Sequence, residues 1–257
     1  MTVKVFLDTS VQVYRALADR EQFVNIESQL ISSDFNAITS QYVWMEYQRT
    51  VVADYAHIHR LMTEYNGWSE LLRHLLDGSR SFRPRTAVRC TKIVSQIMEQ
   101  SGDDWYLAYD RVEDQITDGL YLHFWDNVVP VSDPIVCDLV TNGINQQSDD
   151  CYSVASSCRK ELATCHLPKF LNEHKAELSN VANYLSAHPK SIKDQPRLER
   201  LLAAILKDPQ AVLGQSACWP LGDLIIALQV PPDAQVWSLD KDFATLAKIL
   251  DIKRYPS

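Results

Sequence analysis

The sequence predicts an α/β fold in which a central, mostly parallel sheet carries a large helical elaboration. Three observations predict it. Near both ends, short apolar runs stop at an acid and lead into helical patterns, at VKVFL before Asp8 and at Ala234–Leu239 before Asp240. The middle of the chain shows long helical periodicity with only weak breaks. A length of 257 residues with 46% hydrophobic residues supplies a sizeable core, enough for one elaborated domain or a domain carrying an insertion.

Taken in order, residues 3–7 form a β-branched and apolar run that stops at Asp8, and Thr9, Ser10 and a helical pattern through Leu17 follow. A second strand fits Asn36 to Thr39. Ser40 is then placed to cap a helix through Tyr42, Val43, Glu46 and Val51, with Glu46 in its second turn. From about residue 55 to 125 the pattern is helical, with breaks at Asn66-Gly67, Pro84 and Ser101-Gly102. Asn127 to Val131 suits an edge strand, because Pro130 lacks the N–H that a central strand needs. Ser132-Asp133-Pro134 reads as a helix start and Gly143 as its stop. Residues 150–207 read as helical again, interrupted around His188-Pro189 and Pro196. Pro220 opens a helix that carries Asp223 in its first turn, and Pro231-Pro232 ends it. Ala234 to Leu239 makes a strand ending at Asp240, a helix runs from Asp242 to Leu250, and a last strand fits Ile252 to Arg254.

Twenty-five Lys and Arg against thirty-three Asp and Glu give a formal charge of −8, the wrong sign for a protein that coats nucleic acid nonspecifically. Contact with nucleic acid would need a local basic patch or a bound cation. The start MTVKVFLDTS has no basic leader before an apolar run, and no stretch approaches the length of a membrane span, so a soluble, cytoplasmic protein is expected. The six cysteines contain no Cys-x-x-Cys pair and are expected as reduced thiols. Cys151, Cys158 and Cys165 recur every seven residues, which would place them on one helix face beside His166. Small buried hydrophobes are favoured there over a metal site, since ligands on helices usually sit three or four apart.

Two acids, Asp8 and Asp240, follow predicted strands, and two, Glu46 and Asp223, sit in early turns of predicted helices. Strands feeding helices imply a parallel sheet, whose ligand crevice lies beyond the carboxyl ends of its strands, so all four can converge at one edge. Carboxylates packed closely raise one another's pKa and need a cation to remain ionised. All the donors are hard oxygens, which selects Mg²⁺ or Mn²⁺. A hard cation held by carboxylates orients water and stabilises charge on a phosphodiester during hydrolysis.

These residues carry a family resemblance. KVFLDTS at 4–10 resembles the first-strand motif of PIN-domain nucleases, SQYVWMEYQRTV at 40–51 is similar to the segment bearing the family's helical Glu, and PLGDLIIALQ at 220–229 resembles its Gly-Asp helix. WSLDKDF at 237–243 is similar to the last acidic motif, with Ser238 where the family commonly has Thr. The resemblance implies a three-layer core from 1–60 and 215–257, to which 127–142 can be added, with 61–126 and 143–214 as helical elaboration. It implies metal binding and catalysis by Asp8, Glu46, Asp223 and Asp240, support by hydrogen bonds from Ser10 and Ser238, and an accessory or capping role for Asp242. The implied activity is Mg²⁺- or Mn²⁺-dependent endonucleolytic cleavage, of RNA before DNA. A toxin with its antitoxin, or a defence effector, is a setting that follows by resemblance only, and an oligomer is compatible. The length between Glu46 and Asp223 exceeds that of small family members.

Within the elaboration, Arg80, Arg83, Arg85, Arg89 and Lys92 form a basic segment that reads equally as a phosphate-backbone contact and as a solvated helix face. Residues 103–126 are acidic with interleaved aromatics, expected as core rings under an acidic exterior, with a basic protein partner as the functional option. The histidines form no catalytic constellation, and no phosphate loop or nucleophile elbow is present. The alternative to a nuclease is a PIN-like protein-binding or regulatory module with weak or no cleavage.

Overall fold

The computed structural model describes residues 2–32, 34–78, 84–131, 143–146, 151–154, 165–212 and 218–256, together with Ile135 and Cys137. It is an α/β structure built on a five-stranded, all-parallel sheet in the order β3-β2-β1-β6-β7. The strands are β1 (Val3–Leu7), β2 (Phe35–Thr39), β3 (Val129–Pro130), β6 (Gln235–Trp237) and β7 (Arg254–Tyr255). Pro130 lies on the edge strand β3, where its missing N–H costs no ladder bond.

Strand β1 is apolar on both parities where it is buried, at Val5, Phe6 and Leu7, while Lys4 nearer its start pairs with Asp233. Val5 and Leu7 point to one face, into a cluster with Val11, Ile26, Leu30 and Trp237, while Phe6 points to the other face with Ile38, Val236 and Phe243. Both faces are covered by helices, so neither parity of the strand can be polar. On the first face lie α1 (Thr9–Leu17) and α2 (Arg20–Leu30), the latter an element that no periodicity in the sequence marks. Asp19 caps α2 by accepting from the Gln22 N–H at 2.9 Å, a start signal of ordinary kind. On the second face lie α3 (Gln41–Tyr47), α12 (Gly222–Gln229) and α13 (Lys241–Ile249).

The helices between β2 and β3 fall where the breaks predict. After a π-helical turn at Gln48–Val52 come α4 (Ala53–Glu64), α5 (Trp68–Gly78), α6 (Pro84–Ser101), α7 (Trp105–Asp114) and, after a second π-helical turn, α8 (Leu120–Trp125). Their apolar stripes, including Ile58, Leu71, Ile93, Val112 and Phe124, belong to the same buried cluster as Phe6 and Ile38. Arg15 fixes this attachment: wholly buried on α1, it bonds Glu27 and Gln12 at 2.9 Å each and reaches the carbonyls of Phe124 and Asp126 at the end of α8. A cation at a helix C-terminus meets the negative end of its dipole. The acidic 103–126 stretch is mixed: Phe124 is buried and Tyr109 packs on His59, but Tyr106 and Tyr121 are exposed.

Two expectations fail beyond residue 143. A two-stranded antiparallel hairpin pairs β4 (Ile144–Gln146) with β5 (Tyr152–Val154), and β5 stands where helix was expected. The alternation of Tyr152 inward and its neighbours outward is a half-buried strand pattern too short to register as a period. Cys151 therefore precedes a strand, and the seven-residue cysteine spacing does not lie along one helix; Cys158 is outside the described residues, as is the helix expected from Ser132-Asp133-Pro134. Helices α9 (Leu167–Glu173), α10 (Lys175–Ala187) and α11 (Gln195–Lys207) follow, and Pro196 opens α11 instead of breaking it. Among the described residues no helix is long and apolar enough to cross a membrane.

Candidate active site

The strand order fixes where a site can form. From β1 the chain crosses to β2 on one side, and β6 later pairs with β1 on the other, so β1 and β6 flank the point where the sheet reverses direction of growth. A crevice opens beyond the carboxyl ends of such strands. Leu7 pairs with Trp237, and the Asp8 N–H donates to the Trp237 carbonyl at 3.1 Å, so the two strands end side by side.

Asp8 and Asp240 are both helix N-caps. Asp8, buried to 4% exposure, caps α1 and accepts from the Ser10 N–H and, at 3.1 Å, from the Ser10 hydroxyl. Ser10 Oγ in turn accepts from the Leu239 N–H at 2.8 Å, joining the loop after β1 to the loop after β6. Ser238 Oγ accepts from the Asp240 N–H at 3.1 Å, and its side chain also hydrogen-bonds Asp8. Asp240 caps α13 by accepting from the Asp242 N–H at 2.8 Å. Burial pushes the Asp8 carboxyl up to about 6 from an ordinary 3.8; bonds from Ser238 and Ser10 oppose the rise and Asp240 adds to it.

Glu46 arrives from the second face. Ser40 caps α3 through the Val43 N–H at 3.2 Å and donates to Gln229 Oε1 at 2.8 Å, pinning the start of α3 to the end of α12. One turn along α3, Glu46 Oε2 accepts from the Thr9 hydroxyl at 2.8 Å, while Oε1 faces Gly222. Burial pushes Glu46 up to about 8, with the Asp223 charge the next cause; Thr9 and the Arg49 guanidinium oppose it. Asp223, in the first turn of α12, opens to the cleft. The cleft walls strip part of its hydration and, with Asp8, Asp240 and Asp242, push it up to about 7.

Gly222 has a specific reason to be glycine. It is helical, at φ −49° and ψ −58°, so backbone freedom is not required of it. A Cβ there would collide with Glu46 Oε1. Alanine would favour the helix by about 1 kcal/mol, so the carboxylate and not the helix should yield. Gly222→Ala is expected to keep its melting temperature within a few degrees while any cleavage rate drops roughly tenfold or more, a split read by thermal melting beside kinetics. A collapse of the fold would place the role of Gly222 in packing alone.

Asp223, Asp240 and Asp242, with Asp194, line a cleft of about 840 Å³. The acids are thus near enough to perturb one another, yet among the described residues no three His, Cys, Asp or Glu side chains are disposed to hold a metal ion together. The described residues therefore form no cage of protein ligands. The donors remain chemically suited to Mg²⁺, which commonly takes one or two carboxylates and keeps several waters.

The basic segment does not act as one strip. Arg85 lines the cleft, whereas Arg89 is ion-paired with Asp54 through both Nε and Nη2, and Lys92 lines a separate groove with Arg20 and Arg111. Arg80 and Arg83 lie outside the described residues. Spacings of four and three keep residues 85, 89 and 92 on one side of α6, so the elements packed along that side give each a different partner, a fact that charge counting along the sequence does not register. Thr9, Gly222, Arg49 and Lys241 lie inside the motifs quoted without being singled out by them, and Trp219, Lys193 and Arg197 have no local pattern to mark them. Comparison with protein families, with curated proteins and with solved structures gives no match to this chain.

Proposed function

We propose that this chain is a Mg²⁺- or Mn²⁺-dependent endonuclease that hydrolyses phosphodiester bonds, with RNA as the first substrate to test. The observation that carries the reading is the set of carboxylates at the reversal point of the sheet, with Asp8, Glu46 and Asp223 pushed up to about 6, 8 and 7. Groups that cost this much to ionise together are relieved by a divalent cation, which would be held by Asp223 with Asp8 or Asp240. When bound, the cation would supply charge stabilisation for the phosphodiester and lower the pKa of water.

The residues around it have separable tasks. Asp240 and Asp8 are oriented by their capping bonds and by Ser238 and Ser10, so their rotamers are set before any ligand arrives. Glu46, a proton holder near neutral pH and anchored by Thr9, is suited to accept or return a proton at the attacking water. The absence of a three-ligand cluster among the described residues favours the second reading, a regulatory or protein-binding module of the same fold. Cleavage of labelled single-stranded RNA, duplex RNA and single-stranded DNA, titrated with Mg²⁺ and Mn²⁺ and stopped by EDTA, decides between them. Metal-dependent product is expected. No product on any substrate at saturating metal would overturn the nuclease reading.

A further inference from the structure

The cleft that Asp194, Asp223, Asp240 and Asp242 line carries cations among its acids. Arg85 at the start of α6, Lys193 in the loop before α11, Arg197 in the first turn of α11 and Lys241 at the start of α13 all line it and all are exposed. No salt bridge among the described residues engages Arg85, Lys193 or Lys241. A second groove of about 590 Å³ continues the first, sharing Lys193, Asp194 and Asp242 and adding Lys190. Trp219 lines the main cleft with 38% of its surface exposed. Arg49 stacks over its ring, 5.4 Å from the centroid, and so steadies the indole from one side.

We propose that this cleft binds a single polynucleotide strand, with backbone phosphates on Arg85, Lys193 and Lys241 and an unpaired base stacked on Trp219. The proposal rests on the nuclease reading of the carboxylates and adds the strandedness of the substrate and the residues that hold it. Physically, a chain of charge −8 must offset its own field locally before a polyanion can approach three carboxylates. The interspersed cations do so beside the acids, giving a phosphate a counter-charge within the cleft. An exposed indole adds a flat apolar face that only an unstacked base can use, since bases in a duplex are covered by their neighbours. An acidic peptide would use the cations but would leave the ring without a stacking partner. Lys193 and Arg197 come from the helical elaboration, which gives that part of the chain a role in holding substrate.

The test is fluorescence anisotropy on the full chain in EDTA, with a short labelled RNA strand, the equivalent DNA strand, the RNA duplex and polyglutamate as competitor, at several salt concentrations. Single strands are expected to bind at least tenfold tighter than duplex. Trp219→Ala should weaken binding roughly tenfold without changing the salt slope. Arg85→Ala with Lys193→Ala should lower that slope by about two, one per phosphate contact. Equal or tighter duplex binding, full competition by polyglutamate, or variants that bind like the parent would each overturn the proposal. Strand binding with these dependences but no cleavage on adding Mn²⁺ would keep this inference and remove the nuclease reading. Metal-dependent cleavage with unaffected variants would do the reverse.

Discussion

Asp223→Asn is expected to lower metal-dependent cleavage roughly 10²–10³-fold, the usual cost of removing one preorganised electrostatic group from a reacting centre, while leaving the far-ultraviolet circular dichroism unchanged and the melting temperature equal or higher. The asymmetry follows from its surroundings. Asp223 is solvent-facing, caps nothing and is pressed by Asp8, Asp240 and Asp242. Its neutral isostere therefore removes repulsion and little else. Asp8→Asn should be equally inactive but should gain less stability than Asp223→Asn, by about 1 kcal/mol, because an amide N–H₂ would face a Ser10 hydroxyl or Ser238 where a carboxylate accepted. Full activity in Asp223→Asn would remove that residue from the reaction, and equal stability in the two variants would remove the serine bonds from the account of the loop.

Stability of the metal-free protein is expected to fall as pH rises from about 5 to 8, and added Mg²⁺ or Mn²⁺ should restore it most at the alkaline end. Asp8, Asp223 and Glu46 hold protons in the folded chain up to about pH 6, 7 and 8, whereas in the unfolded chain they lose them near 3.8, 3.8 and 4.5. Between those limits the folded state binds more protons, so the free energy of unfolding declines with rising pH. Below about pH 4 both states are protonated and the decline has not begun; above about 8 it is complete. Glu46→Gln fixes the neutral form and should gain roughly 1–3 kcal/mol at pH 8, at about 1.4 kcal/mol per displaced pKa unit after allowance for partial solvation and coupling. Thermal melts across pH, with and without metal, measure both effects. A melting temperature that climbs between pH 5 and 8 without metal would contradict the raised carboxylates.

Much of the core was legible from local pattern. VKVFL ending at Asp8, Ser40 at a helix start, and Pro231-Pro232 as a stop each state their structure within a few residues, because strand parity and helix capping are short-range effects. The strand Tyr152–Val154 was not legible: three residues give no period to detect, and its stability comes from pairing with Ile144–Gln146. Helix α2 carries a cap at Asp19, but only Ile26 and Leu30 of it are buried, too sparse a stripe to stand out.

For the site, sequence alone marked the acids that the fold brings within reach of one another, since each sits at a strand end or in a helix's first turns, where the fold class sends ligands. What it left open was their company. That Thr9 holds Glu46, that Gly222 is empty space for a carboxylate, and that Ser10 ties two loops together depend on contacts across 37, 176 and 229 residues of chain. The split of the basic segment and the gathering of Arg85, Lys193 and Lys241 likewise needed three dimensions. Backbone conformation answers to near neighbours and is written locally, whereas the distance between two charges is set by how the helices pack and can be read only once they have.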